Sequence, residues 1–196
     1  MSATAAAAAN PSGFEVSTPA QALPELAADD FTLFDLPRRH AQVAGDIDAR
    51  WKDLLRQAHP DRFAAQGAAA QRVAMQWSVR INEAHQRLKD PLRRAAYLCE
   101  LMGAPIQAES NTAMPAAFLM QQMAWRESLD EAADLDALEA LHDEVMQARR
   151  AALQACETLL DAQHDASAAA QQVRSLMFIE RFSRDVETRM DSMDPR

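Results

Sequence analysis

At 196 residues with 48% apolar side chains, the chain is long enough for one medium domain or two small ones and is expected to fold. Four glycines and one tyrosine, against abundant Ala, Leu, Gln, Glu and Arg, leave few of the turns and β-formers that a sheet requires, so an all-α fold is predicted. The net charge of −9 argues against nucleic-acid binding, whose affinity comes largely from phosphate contacts.

That charge is uneven. Residues 1–28 carry −2, residues 29–100 carry +2 (12 basic against 10 acidic), and residues 101–196 carry −9 (8 basic against 17 acidic), which suggests two halves with different tasks. The Ala-rich start, residues 1–9, has neither the basic n-region of a secretory signal nor the length of a membrane span, so a cytoplasmic protein without membrane attachment is expected. Cys99 and Cys156 form no CxxC and no paired Cys/His spacing, so they are expected to be core hydrophobes, with no disulfide framework and no metal site.

Residues 1–28 combine an alanine run with Pro11, Gly13, Pro19 and Pro24 and are expected to be a disordered tail. FTLFDLP, from Phe31, is a short apolar element stopped by Pro37, and a polar loop follows through Gly45, with Asp46 or its neighbour as the next N-cap. Ile47, Trp51, Leu54, Leu55 and Ala58 then recur at helical spacing, with Arg50, Lys52, Asp53 and Arg56 on or beside the other face. After HPDRFAAQG, Ala74, Trp77, Ile81, Ala84 and Leu88 mark a second helix that closes at Asp90-Pro91. Paired antiparallel, the two helices would bury Trp51 and Leu55 against Trp77 and Ile81, with LRRAAYLCELM as a short closing helix. This predicts a first unit over 29–102 and a linker over 103–111. Three further helical patterns, about Pro115 to Ala132, Leu135 to Asp161 and Ser167 to Met190, predict a three-helix bundle over 112–191 with a tail over 192–196.

The sharpest local feature is His59-Pro60-Asp61, directly after a helix that carries Arg50, Lys52 and Arg56. Proline cannot continue the helix, so it fixes a turn with an imidazole and a carboxylate on either side, both pointing outward. The plain alternative is that these two side chains only cap helix ends and that the basic residues are a solvated face. A general-base pair is a second alternative, but no nucleophile and no Gly-rich phosphate loop accompanies it. The five histidines, at 40, 59, 85, 142 and 164, form no metal-ligand motif. A helix-turn-helix DNA reader would need a shorter connection and a less acidic second half.

In context the tripeptide resembles the J-domain family: a basic-faced helix, the HPD loop, a second long helix, then INEAHQRLKDPLRRAAY from Ile81 to Tyr97. The resemblance implies that His59, Pro60 and Asp61 engage a DnaK-class chaperone and promote ATP hydrolysis by that partner. Arg50, Lys52 and Arg56 would supply complementary charge, and the chain itself would hold no catalytic group. No Gly/Phe-rich region and no Cys-rich module follows residue 100, which argues against a general unfolded-client architecture.

At 100° per residue, Phe118, Gln122, Trp125, Leu129 and Ala132 share one side of the first C-terminal helix and are expected in the bundle core. Leu119, Met120 and Met123 fall nearly opposite, with Glu127 and Glu131 continuing their strip. An apolar strip with an acidic extension, outside the core stripe, suggests a partner surface that methionine can mould to; the alternatives are a wide core stripe or burial against the first unit. AFLMQQMAWRESLDE, from Ala117 to Glu131, resembles the HscB family in particular. That resemblance, from about Asp29 to Asp191, implies an HscA-like DnaK-class chaperone and an IscU-like iron-sulfur scaffold as partners. It assigns scaffold contact to Leu119, Met120, Met123, Glu127 and Glu131, with Phe178 of the last helix, although Phe178 could equally be core. Ala124 stands where the family often has an acidic residue, and the N-terminal CxxC pairs of some members have no counterpart. No cofactor is implied, and a monomer is expected. A different dedicated client, or a helical adaptor without chaperone coupling, remains the alternative.

Overall fold

The computed structural model describes residues 27–107 and 114–193. Most of the expected 1–28 tail, much of the 103–111 linker and the last three residues of the 192–196 tail fall outside them. Among the described residues the fold is all-α: α1 (Asp30–Leu33), α2 (Ala44–Gln57), a 3₁₀ segment (Pro60–Gln66), α3 (Ala68–Lys89), α4 (Pro91–Leu101), α5 (Ala116–Glu131), α6 (Leu135–Glu157) with a π-helical end (Thr158–Ala162), and α7 (Ala166–Met193). No helix among them is long and apolar enough to cross a membrane.

The α2–α3 hairpin buries Ile47, Leu54 and Ala58 against Trp77, Ile81, Ala84 and Leu88, with Phe31 and Phe34 of α1 wedged into the same cleft. Trp51 and Leu55 pack against this cluster as expected, but from a half-buried position, and for Trp51 the cause is visible. Its Nε1 donates to Asn82 Oδ1 at 2.9 Å and its ring stacks on His85 at 4.5 Å, which holds it at the rim. α2 also begins earlier than Asp46. Val43 is its N-cap without a side-chain bond, and Asp46 lies in the first turn, where a carboxylate favours the helix dipole. Asp90 caps α4 by accepting from Arg93 N–H, with Pro91 in the first turn, so the DP dipeptide ends one helix and starts the next. Asp30 is fully buried and ion-paired with Arg80 (2.5 Å) and Arg87 (2.7 Å), which fixes α1 on α3.

α6 and α7 form the long antiparallel pair of the C-terminal half. α5 packs on them through aromatic side chains: Trp125 stacks on Phe182 at 5.7 Å, and Phe118 meets Trp125 and Phe178 edge-on. Such pairs add about 0.5–1.5 kcal/mol each beyond their burial. Trp125 Nε1 donates to Glu144 Oε1 at 2.7 Å, so the indole is buried without an orphaned donor.

The two halves share a core. Cys156, Leu160, Ala169, Ala170 and Val173 belong to the same apolar cluster as Leu98, Cys99 and the α2–α3 residues. Polar bonds seal the seam: both oxygens of Asp161 accept backbone N–H groups, from His40 (2.6 Å) and Ala41 (2.8 Å). Buried Arg94 donates to the carbonyls of His40 (2.9 Å) and Leu88 (2.5 Å), and Arg174 donates to the Ile106 carbonyl at 3.2 Å. Cys99 and Cys156 are both free and buried, and burial pushes their thiols up to about 11 and about 12.

Candidate functional site

His59, Pro60 and Asp61 lie where the chain leaves α2. Ala58 closes the helix with its N–H on the Leu54 carbonyl, Pro60 begins the 3₁₀ segment, and His59 is its extended N-cap. Asp61 N–H lies 3.3 Å from His59 Nδ1, and the Asp61 carboxylate stands 3.6 Å from the same nitrogen. Both side chains are exposed, Asp61 at 90%. The arrangement leaves an imidazole and a carboxylate side by side on the surface, fixed in the chain by Pro60.

Arg50, Lys52 and Arg56 are all exposed on α2. Arg50 pairs with Asp35 at 2.6 Å and Arg56 with Asp53, exposed bonds that are worth little and exchange readily, while Lys52 makes no ion pair among the described residues. Arg62 was not singled out from sequence. Its guanidinium donates to the Arg56 carbonyl at 3.2 Å, tying the turn to the end of α2, and its position directly after Asp61 was the available signal.

On α5 the two faces separate as their spacing predicts. Trp125 and Ala132 are buried and Phe118, Gln122 and Leu129 are half-buried, whereas Leu119 (45%), Met120 (67%) and Met123 (65%) face solvent beside exposed Glu127 and Glu131. Phe178 is half-buried: it stacks on Phe182 at 6.0 Å and lies edge-on to Phe118, with the Arg126 guanidinium 5.7 Å over its outer face. It is thus part core and part surface, at the flank of the α5 strip. Arg126, the other residue that sequence did not single out, is the basic member of this otherwise acidic helix. No group of three or more His, Cys, Asp or Glu placed to hold a metal occurs among the described residues.

A family model described as the HSCB C-terminal oligomerisation domain matches residues 114–187, the stretch from α5 through most of α7. The co-chaperone protein HscB homolog of Bordetella petrii is 52% identical over 163 residues, 82% of this chain and 96% of that protein. This chain belongs to the HscB co-chaperone family. The HscB homolog of Burkholderia multivorans is 50% identical over 84% of this chain and 95% of that protein. Chaperone HscB from Vibrio cholerae superposes with a TM-score of 0.73 at 34% identity, over 85% of this chain and all of that one. Human co-chaperone protein HscB gives 0.78 at 23% identity, over 84% and 83%, a likeness of fold. The helical architecture described above is therefore that of HscB, and the chain is a co-chaperone of the iron-sulfur assembly class.

Proposed function

We propose that this HscB-family chain couples two proteins: its N-terminal half acts as a J-domain that docks on an HscA-like DnaK-class ATPase and stimulates it, while its C-terminal half carries an IscU-like iron-sulfur scaffold to that chaperone. The observation that carries the reading is the pairing, in one packed chain, of two exposed surfaces of unlike character, the His59-Pro60-Asp61 turn with the Arg50, Lys52 and Arg56 face of α2, and the Leu119/Met120/Met123 strip with its acidic extension. The Arg50, Lys52 and Arg56 face of α2 steers association toward an acidic surface, and an adaptable apolar strip supplies contact area to a folded client. Holding both partners at once raises the effective concentration of one for the other, and contact at the turn biases the chaperone toward its hydrolysing state. The chain supplies no catalytic group to either event.

The strip reads as Leu119, Met120 and Met123 at the centre, Glu127 and Glu131 at one end, and Phe178 on the flank. Ala124 has no carboxylate to offer, so no polar contact is assigned to that position. The oligomerisation named for the matching domain is, in this reading, hetero-association with the scaffold, the chain alone being monomeric.

Calorimetric titration of an IscU-like scaffold tests the second surface. Met123→Ala is expected to weaken binding about tenfold, as loss of a well-packed contact of ~1–2 kcal/mol does, at unchanged melting temperature and one-to-one stoichiometry. Equal affinity for wild type and variant would place the client elsewhere.

A further inference from the structure

The large apolar side chains that α3 exposes all lie in its first half, at the end beside the His59 turn. Val73 (49%), Met75 (62%) and Val79 (54%) stand in solvent there, whereas the exposed residues of the second half are Asn82, Glu83, Gln86 and Lys89. Single exposed apolar residues are ordinary on a surface; an outward helix face that turns from polar to apolar toward one end is a patch.

Helical spacing divides these residues. Met75, Val79 and Asn82 fall within about 60° of arc, while Val73 lies on the opposite side of the helix. The Met75/Val79 face runs along the rim where α3 meets α2. Ser78 Oγ donates to the Ala58 carbonyl at 3.5 Å, which brings this stretch of α3 to the residue that precedes His59. Asn82 Oδ1 accepts from the Trp51 indole at 2.9 Å, and Trp51 and Leu55, one turn apart on α2, are both half-buried. An apolar edge therefore continues from the turn along the hairpin.

We propose that this edge is the apolar part of the chaperone-docking surface: Met75 and Val79, bordered by Trp51 and Leu55, meet an apolar patch of the same DnaK-class chaperone that engages the turn. This contact presupposes the chaperone coupling proposed above and adds to it the residues that select the partner. Continuity with the turn argues for that occupant, since a chaperone seated on His59 and on the basic residues of α2 also faces the adjoining rim. Exposed charges steer and orient, but they suit any acidic surface; a fixed apolar contact discriminates between partners that are equally acidic, and salt does not screen it.

The double variant Met75→Gln, Val79→Gln tests the contact, because glutamine is a good helix former at exposed positions and the melting temperature is expected to stay unchanged. In single-turnover hydrolysis by an HscA-like ATPase, the variant is expected to need about tenfold more protein for half-maximal stimulation, with the same maximum, and to keep that deficit at high salt; Val73→Gln is expected to match wild type. An unchanged half-maximal concentration, an equal rise in Val73→Gln, or a deficit that vanishes at high salt overturns the contact and leaves the role of the turn intact. Self-association of wild type that the double variant loses overturns it as well, giving the edge to a second copy. No stimulation by wild type removes the chaperone coupling and this contact with it.

Discussion

His40 sits where an imidazole is hard to protonate. It is 4% exposed, its Nε2–H donates to the Pro91 carbonyl at 3.2 Å, and Nδ1 is buried with no partner. Burial, and after it the nearby Arg94 charge, hold its titration below the usual histidine range, against the opposing pull of the Pro91 carbonyl, Asp161 and Glu157. Between the native value and the unfolded value of about 6.5, the unfolded chain binds a proton that the native chain refuses, so stability rises with pH in that window. The contribution is fully present above about pH 6.5 and is lost as pH falls toward the native value. Urea denaturation at pH 7.5 and 5.5 should show a drop that shrinks in His40→Gln; an equal drop in both proteins would show that His40 is not its source. Nothing local in the sequence marks His40 for this role, because its partners Pro91, Arg94 and Asp161 are 51 to 121 residues away. His59 was legible for the opposite reason: its neighbours in space, Pro60 and Asp61, are its neighbours in the chain.

Gly67 joins the 3₁₀ segment to α3 with φ 90° and ψ 173°, a conformation that is essentially confined to glycine. No atom stands within 4 Å of where a Cβ would sit, so replacement strains the backbone without a clash. Gly67→Ala is expected to cost roughly 1–3 kcal/mol in urea denaturation; a loss under a few tenths would mean that the turn relaxes freely. The sequence marked this reset, and the 3.6-residue stripes marked α2 and α3, since each buries one continuous face; α7, buried at Val173, Arg174, Ser175 and Leu176 in succession, has no single stripe. α5 was legible in both faces because Phe118 and Trp125 fall on one azimuth and Met120 and Met123 on the other. The 3₁₀ segment was expected only as a loop: seven residues with no buried side chain leave no periodic signal. The π-helical end of α6 was likewise invisible, being set by the seam it faces.

The seam decides how the two surfaces are held. Asp161 satisfies two N–H groups of the loop before α2, so Asp161→Ala leaves both without their acceptor in a part-buried site, at about 1–3 kcal/mol. Faster hydrogen exchange at His40 and Ala41, with α5 protected as before, is the expected signature, and Asp161→Asn, which keeps one acceptor, should fall between. Exchange unchanged from wild type would mean that the apolar cluster around Cys99, Cys156 and Val173 suffices alone. Sequence placed a boundary between the halves but could not foresee that they share a core, since pairs such as Cys99 with Val173 leave no mark on local spacing. A shared core means that the turn and the α5 strip are presented by one packed body. The most direct test of that coupling is single-turnover ATP hydrolysis by an HscA-like chaperone with this chain, with and without an IscU-like scaffold. Wild type is expected to accelerate hydrolysis, further with scaffold present, and His59→Gln to abolish both effects while still binding scaffold; hydrolysis equally fast with His59→Gln, or indifferent to wild type, would contradict the account.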